Sequence, residues 1–180
     1  MDTSGVTAWA VAVIGVAGTL LSAVLTQRAA DRGRRRELDR ADRRRAARDD
    51  EAARRSTYVA LNMSARHYLA ALTDLVHAIR RADGSEGVRR RLEEARDLHR
   101  DVHAEAQMRV PDGILDRAGE VNRALNGLYG MVRRLDEGTP RTGDTPDTAQ
   151  RRIDELWAEL RLLRGEMRDE LGVSGSDSGQ

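Results

Sequence analysis

Two histidines four apart, His99 and His103, are the residues in this chain whose type and spacing could do chemistry. On a helix they share one face, and such a pair can chelate a divalent metal. The run His99-Arg100-Asp101-Val102-His103 lacks a glutamate after its first histidine, so it is not the zinc-protease motif, and no third ligand is evident. By helical angle His99 falls within an apolar stripe and His103 on its edge. A packed, hydrogen-bonded imidazole is therefore the expectation, and no metal, cofactor or catalytic residue is assigned. His67 and His77 project from the far face of their helix and are expected to be solvated.

The remaining composition narrows the chemistry by exclusion. There is no Cys, so disulfides, thiolate metal sites and cysteine nucleophiles are ruled out. No phosphate-cradling glycine loop, serine-nucleophile elbow or inward carboxylate-histidine set is present, and the chain is read as a non-enzyme. All 31 basic residues are Arg, balanced to a net charge of +1, so any strongly positive surface must be local.

The element that organises everything else is Gly5 to Thr26, which carries no charged residue. At about 1.5 Å per helical residue it reaches roughly 33 Å, enough to cross a hydrocarbon core of about 30 Å. Residues 1–26 are thus expected to form a single transmembrane anchor. Only Asp2 carries a side-chain charge before the span, whereas Arg28, Arg32, Arg34, Arg35 and Arg36 follow it closely. Arginines resist translocation, which places the N-terminus outside and residues 27–180 in the cytoplasm at the cell membrane. The same five arginines are expected to contact anionic lipid headgroups. A cleaved signal would need a basic leading region, a shorter apolar stretch and a small-x-small site, and these are not convincing here.

Within the span, Ala8, Ala12, Gly15, Thr19, Ser22 and Thr26 form a small-residue seam at 4, 3, 4, 3, 4 spacing. Such seams let two helix backbones approach closely in lipid, and a parallel homodimer is expected. Residues 27–55 then carry twelve Arg against seven acidic residues and almost nothing apolar larger than Ala. With no face to bury they read as a solvated helical stalk, laced by pairs such as Asp31 with Arg35, Glu37 with Arg40, Asp39 with Arg43 and Asp42 with Arg45. Interspersed acids and the lack of aromatics argue against nucleic acid as a partner.

From Ser56 the apolar period becomes helical. Tyr58, Leu61, Ala65, Tyr68, Leu69, Leu72, Leu75, Val76 and Ile79 open a first helix, stopped at Asp83-Gly84-Ser85-Glu86-Gly87. A second runs from Val88 through Leu92, His99 and Ala106 to Pro111. A third runs from Ile114 to Gly138, with Gly119, Gly127 and Gly130 inside it and Asn126-Gly127 as a possible hinge that packing is expected to override. The fourth starts at Thr145-Pro146-Asp147, a cap, a first-turn proline and an acidic first turn, and ends at Leu171-Gly172. The fold class is all-α: anchor, stalk, an antiparallel four-helix bundle over residues 56–172, and a disordered tail over 173–180.

The stretch AVIGVAGTLLSAVLTQRAADRGRRRELDRADRRR, residues 12 to 45, resembles the amino-terminal portion of small actinobacterial membrane proteins of the KilB-like type. That resemblance covers anchor and stalk alone and implies a role at the membrane in mycelial plasmid transfer or spread, with no active site to carry over. Two functions follow from the whole reading. One is a structural adaptor whose bundle recruits an unidentified cytoplasmic protein. The other is a sensory module in which a ligand bound between bundle helices acts on paired stalks. A dry core with an exposed apolar strip would favour the first, and a polar cavity the second.

Overall fold

The structure, a computed structural model, describes residues 3–83 and 86–173, with side chains at residue 37 and from residue 40 onward. Among the described residues the chain has four helices and no strand: α1 Thr3–Arg80, α2 Glu86–Ala106, α3 Asp112–Asp136 and α4 Pro146–Glu170. It divides into two units, Met1–Asp50 and Glu51–Gln180. Among the described residues no helix is long and apolar enough to cross a membrane. The side chains of Gly5 to Thr26, the seam Ala8, Ala12, Gly15, Thr19, Ser22 and Thr26, and the flank Arg28, Arg32, Arg34, Arg35 and Arg36 lie outside those described, as do Gly84, Ser85 and residues 174–180.

In the first unit the described side chains from Asp42 to Asp50 are all exposed. The expected pair Asp42 with Arg45 forms at 3.7 Å, with both side chains more than seven-tenths exposed. Such a pair stabilises a helix by only a few tenths of a kcal/mol, so helicity here rests on Ala and Arg propensity as well.

The second unit is held by apolar seams. α3 buries Ile114, Ala118, Val121, Leu125, Leu128 and Val132, and α4 buries Ala149, Ile153, Leu156, Leu160, Leu163 and Met167, both at alternating 4 and 3 spacing. That repeat keeps each stripe facing its partner over the full helix length, and α3 and α4 pack closely along it. α1 contributes Leu61, Leu69, Leu72 and Val76, each no more than 1% exposed. Each such side chain stabilises the fold by about 1.5–3 kcal/mol relative to exposure.

Polar contacts at the ends fix the directions of the helices. Arg54 and Tyr58 at one end of the bundle reach Glu170 at 2.8 and 3.0 Å, while Arg80 reaches Asp147 at 2.7 Å at the other. α1 and α4 are therefore antiparallel. Arg89, near the start of α2, forks Asp136 at the end of α3 with bonds of 2.7 and 3.0 Å, so that pair is antiparallel too. Arg117 and Glu166 meet across α3 and α4 in the same sense.

The helix ends follow the sequence signals, with α2 starting at Glu86 and α3 at Asp112, two residues ahead of Val88 and Ile114. Thr145 caps α4, its hydroxyl oxygen accepting the Thr148 N–H at 3.0 Å, with Pro146 in the first turn. Arg134 holds Asp144 in the preceding loop at 2.7 Å, and that contact pushes the Asp144 carboxyl below its usual range. α3 runs unbroken through Asn126-Gly127, so packing does override the weak glycines. α3 and α4 end on Gly138 and Gly172, both with positive φ, where only glycine is free of Cβ crowding. α1 ends with the same bond pattern, Asp83 N–H to Ala78 C=O at 3.0 Å and Ala82 N–H to Ile79 C=O at 3.0 Å. Here, however, the left-handed position is Ala82, at φ 54°, a residue that carries a Cβ.

An alanine in that conformation is strained by about 1 kcal/mol. Ala82→Gly is therefore expected to raise the stability of the bundle by about 0.5–1 kcal/mol, read as the shift in urea midpoint at constant slope. An unchanged or lowered midpoint would show that the α1 terminus is not strained.

Candidate functional site: a polar cavity inside the bundle

The histidine pair lies in a cavity of about 410 Å³ between α1, α2 and α3. α1 supplies Tyr68. α2 supplies Arg96, His99, Arg100 and His103, two turns of one helical face. From α3 come Asn122, Asn126 and Tyr129, again a single face at 4 and 3 spacing. The volume lies within the range of small-molecule sites, about 300–1,000 Å³. Among these lining residues there is no carboxylate and no aliphatic side chain.

Most of the wall is held in place by its neighbours. Arg96 stacks over Tyr129 with its guanidinium 4.2 Å from the ring centroid. The Tyr129 hydroxyl donates to Glu93 at 2.6 Å, and Arg133 donates to that hydroxyl at 3.0 Å. The Tyr68 ring packs against both His99 and Tyr129, at 5.8 and 6.4 Å between centroids. At the mouth, Asn126 donates to the Asn122 backbone oxygen at 2.9 Å.

His99 is 3% exposed and Tyr68 1%. Ser64, itself buried on α1, donates its single hydroxyl proton to the Leu61 carbonyl at 3.1 Å. Its oxygen lies 3.1 Å from His99 Nδ1; with the Ser64 proton on the Leu61 carbonyl, the tautomer of His99 that completes this contact carries its proton on Nδ1. In the neutral ring this assignment leaves Nε2 as a bare acceptor. Nε2 has no hydrogen-bond partner; Asn122 stands near enough to favour the charged ring slightly but does not complete a bond. His103 Nδ1 and the Tyr68 hydroxyl are likewise buried and unpartnered, although Arg96 stands beside the latter. Of the four such side-chain atoms among the described residues, three belong to this cavity's walls; the fourth, on Gln150, is in α4. A buried polar atom left without a partner is destabilising by about 1–3 kcal/mol, so their convergence on one cavity is the most informative feature of the core.

Electrostatics follows from burial. His99 is pushed down to about 4, first by desolvation and then by the neighbouring charge of His103. His103 is lowered by its own burial. Burial raises Tyr68 far above the usual phenol range, and raises Tyr129 as well. The site at neutral pH thus presents uncharged imidazoles and phenols beside two permanently charged guanidiniums.

Other clefts are less suited to a ligand. A cavity of about 340 Å³ near Leu75 and Leu92 is walled by Arg89, Asp136, Glu93, Arg133 and Glu137, but these charges satisfy one another. A groove between α3 and α4 near Gly127 holds about 300 Å³ and is open to solvent. Among the described residues no set of three or more metal-ligating side chains converges, and the His99 and His103 pair gains no third protein ligand.

The sequence brought out His99 and His103, placing His99 within the apolar stripe of α2 and His103 on its edge, and the structure buries His99 and half-buries His103. His67 and His77 are exposed. It missed Tyr68, assigned to the core, and the α3 wall. The signal for that wall was the pair Asn122 and Asn126, amides one turn apart beside an apolar stripe. No protein-family model matches the chain, and no curated protein or solved structure matches it.

Because the unfolded chain takes up a proton at His99 near 6.5 and the native bundle resists until about 4, stability should fall as pH drops through that window. The loss from this group is at most about 3 kcal/mol, at 1.36 kcal/mol per pKa unit. Urea unfolding of residues 51–173 at pH 7.0, 5.5 and 4.5 should show it, and His99→Leu should flatten the dependence. A wild-type midpoint constant across those pH values would contradict a buried neutral imidazole.

Proposed function

We propose that this chain is a membrane-anchored, non-enzymatic sensory module whose cytoplasmic bundle binds a small polar molecule between α1, α2 and α3. The observation that carries this reading is the cavity walled by Tyr68, His99 and His103, where the buried His99 Nε2 and His103 Nδ1 lack a hydrogen bond of normal geometry. A structural core at that position would be filled with Leu or Val, as it is elsewhere in the same helices. A polar hollow is destabilising by itself, and a ligand that completes its hydrogen bonds offsets that.

The adaptor alternative has less support. The exposed large apolar residues Val59, Met63, Leu98, Met108, Leu162 and Val173 are spread over α1, α2, α4 and two loops. Apart from Val59 and Met63, one turn apart, they do not repeat at helical spacing as a docking strip would. In the sensory reading Gly5 to Thr26 is the anchor, Arg28, Arg32, Arg34, Arg35 and Arg36 set the orientation and touch anionic lipid, and the small-residue seam pairs two copies. Tyr68 and Ser64 both belong to α1, the helix that also contains the anchor segment, so a change at the cavity has a covalent route toward the membrane.

The test is a ligand-observed NMR screen of a small fragment library against the full chain in lipid nanodiscs, repeated with Asn126→Trp to block the mouth. Fragments that bind the wild type and lose at least about tenfold in affinity to Asn126→Trp, with the melting midpoint of the bundle unchanged, are expected. Identical profiles for both proteins would dispose of a ligand cavity.

A further inference from the structure

We infer that the molecule taken by this cavity is a small hydroxycarboxylate, its carboxylate held by Arg96 and Arg100 and its hydroxyl donating to His99 Nε2; this rests on the binding reading above. Charge decides the first half. Arg96 and Arg100 stand one turn apart on α2, both line the cavity, and no lining residue is acidic. Each guanidinium already touches one carboxylate toward solvent, Glu93 at 3.6 Å and Asp97 at 2.9 Å. A guanidinium carries five donors, so the Glu93 contact and the approach to the Tyr68 hydroxyl on Arg96, and the Asp97 contact on Arg100, still leave N–H groups for a second carboxylate. Stacking on Tyr129 engages the face of Arg96 and leaves its edge available. With no carboxylate in the lining, an anion is the occupant that the two guanidiniums can bond directly, whereas an amine or a metal ion finds no acidic partner there.

Hydrogen-bond direction decides the second half. With the Ser64 proton assigned to the Leu61 carbonyl, the His99 tautomer that completes the Ser64 contact donates from Nδ1 and offers a lone pair at Nε2. A bare carboxylate has no hydrogen to give it. A ligand with a hydroxyl beside its carboxylate does, and it avoids placing an ammonium against the arginines. The Tyr68 hydroxyl can donate to the same carboxylate, and the amides of Asn122 and Asn126 can serve either group.

Three four-carbon probes separate the parts: malate, which has both features; succinate, which lacks the hydroxyl; and succinamide, which lacks both the hydroxyl and the charge. Binding to the full chain in nanodiscs is measured by calorimetry. Malate is expected to bind at least tenfold more tightly than succinate, because without the hydroxyl Nε2 stays buried and unpaired. Succinamide is expected to show no measurable heat. Arg96→Gln should weaken malate and succinate alike by tenfold or more, whereas His99→Phe should erase the preference between them. The wild-type comparison needs no variant, so a misfolded mutant does not blunt it. Equal affinity for malate and succinate, equal affinity for succinamide, or absence of malate binding would each overturn the assignment. If fragments still bind in a manner blocked by Asn126→Trp, the ligand class alone has failed; if none does, the binding reading falls with it.

Discussion

The constraint on which this bundle turns is that α2 buries an imidazole where its neighbours bury leucine. α2 sends only Leu92, His99 and Ala106 fully into the core, against six or more residues from each of α3 and α4. An aliphatic residue at position 99 would leave no buried nitrogen to satisfy. His99 instead ties up Ser64 on one side, packs against Tyr68 on another, and leaves a nitrogen that nothing in the protein satisfies. The unsatisfied nitrogen is unfavourable for folding, and the rest of the bundle has to compensate for it.

Compensation comes from two places. The seams of α3 and α4 are long and regular, and their close packing supplies a frame that does not involve the cavity. The ends of the bundle are clamped by polar contacts: Arg54 and Tyr58 with Glu170 at one end, Arg80 with Asp147 and Arg89 with Asp136 at the other. Exposed pairs of this kind are worth at most about 1 kcal/mol each, and the Arg89 fork more because Asp136 is nearly buried. Their value lies in holding the helix directions and register, so that the polar hollow can persist between fixed walls.

Much of this was legible in the sequence, for physical reasons that differ by element. The 4 and 3 apolar spacing of α3 and α4 and the cap at Thr145 are local signals, and both appear as read. His99 on the apolar stripe was equally local. The cavity was not, because it is a property of three helices together: Tyr68 looks like an ordinary core aromatic until Arg96 and Tyr129 are set beside it, and Asn122 looks like a surface amide. The residue that turns the chain at the end of α1 was not legible for a similar reason. Gly84 and Gly87 attract attention, yet the chain turns left-handed at Ala82, where bond geometry at the helix end outweighs residue preference.

The most direct measurement of this account is the side-chain nitrogen NMR spectrum of His99 in the bundle, followed against pH. The account predicts a neutral ring protonated on Nδ1, with Nε2 at the shift of an unprotonated nitrogen, persisting down to about pH 4. Protonation of His99 in the ordinary range near 6.5, or a proton resident on Nε2, would contradict both the buried acceptor and the ligand chemistry built on it.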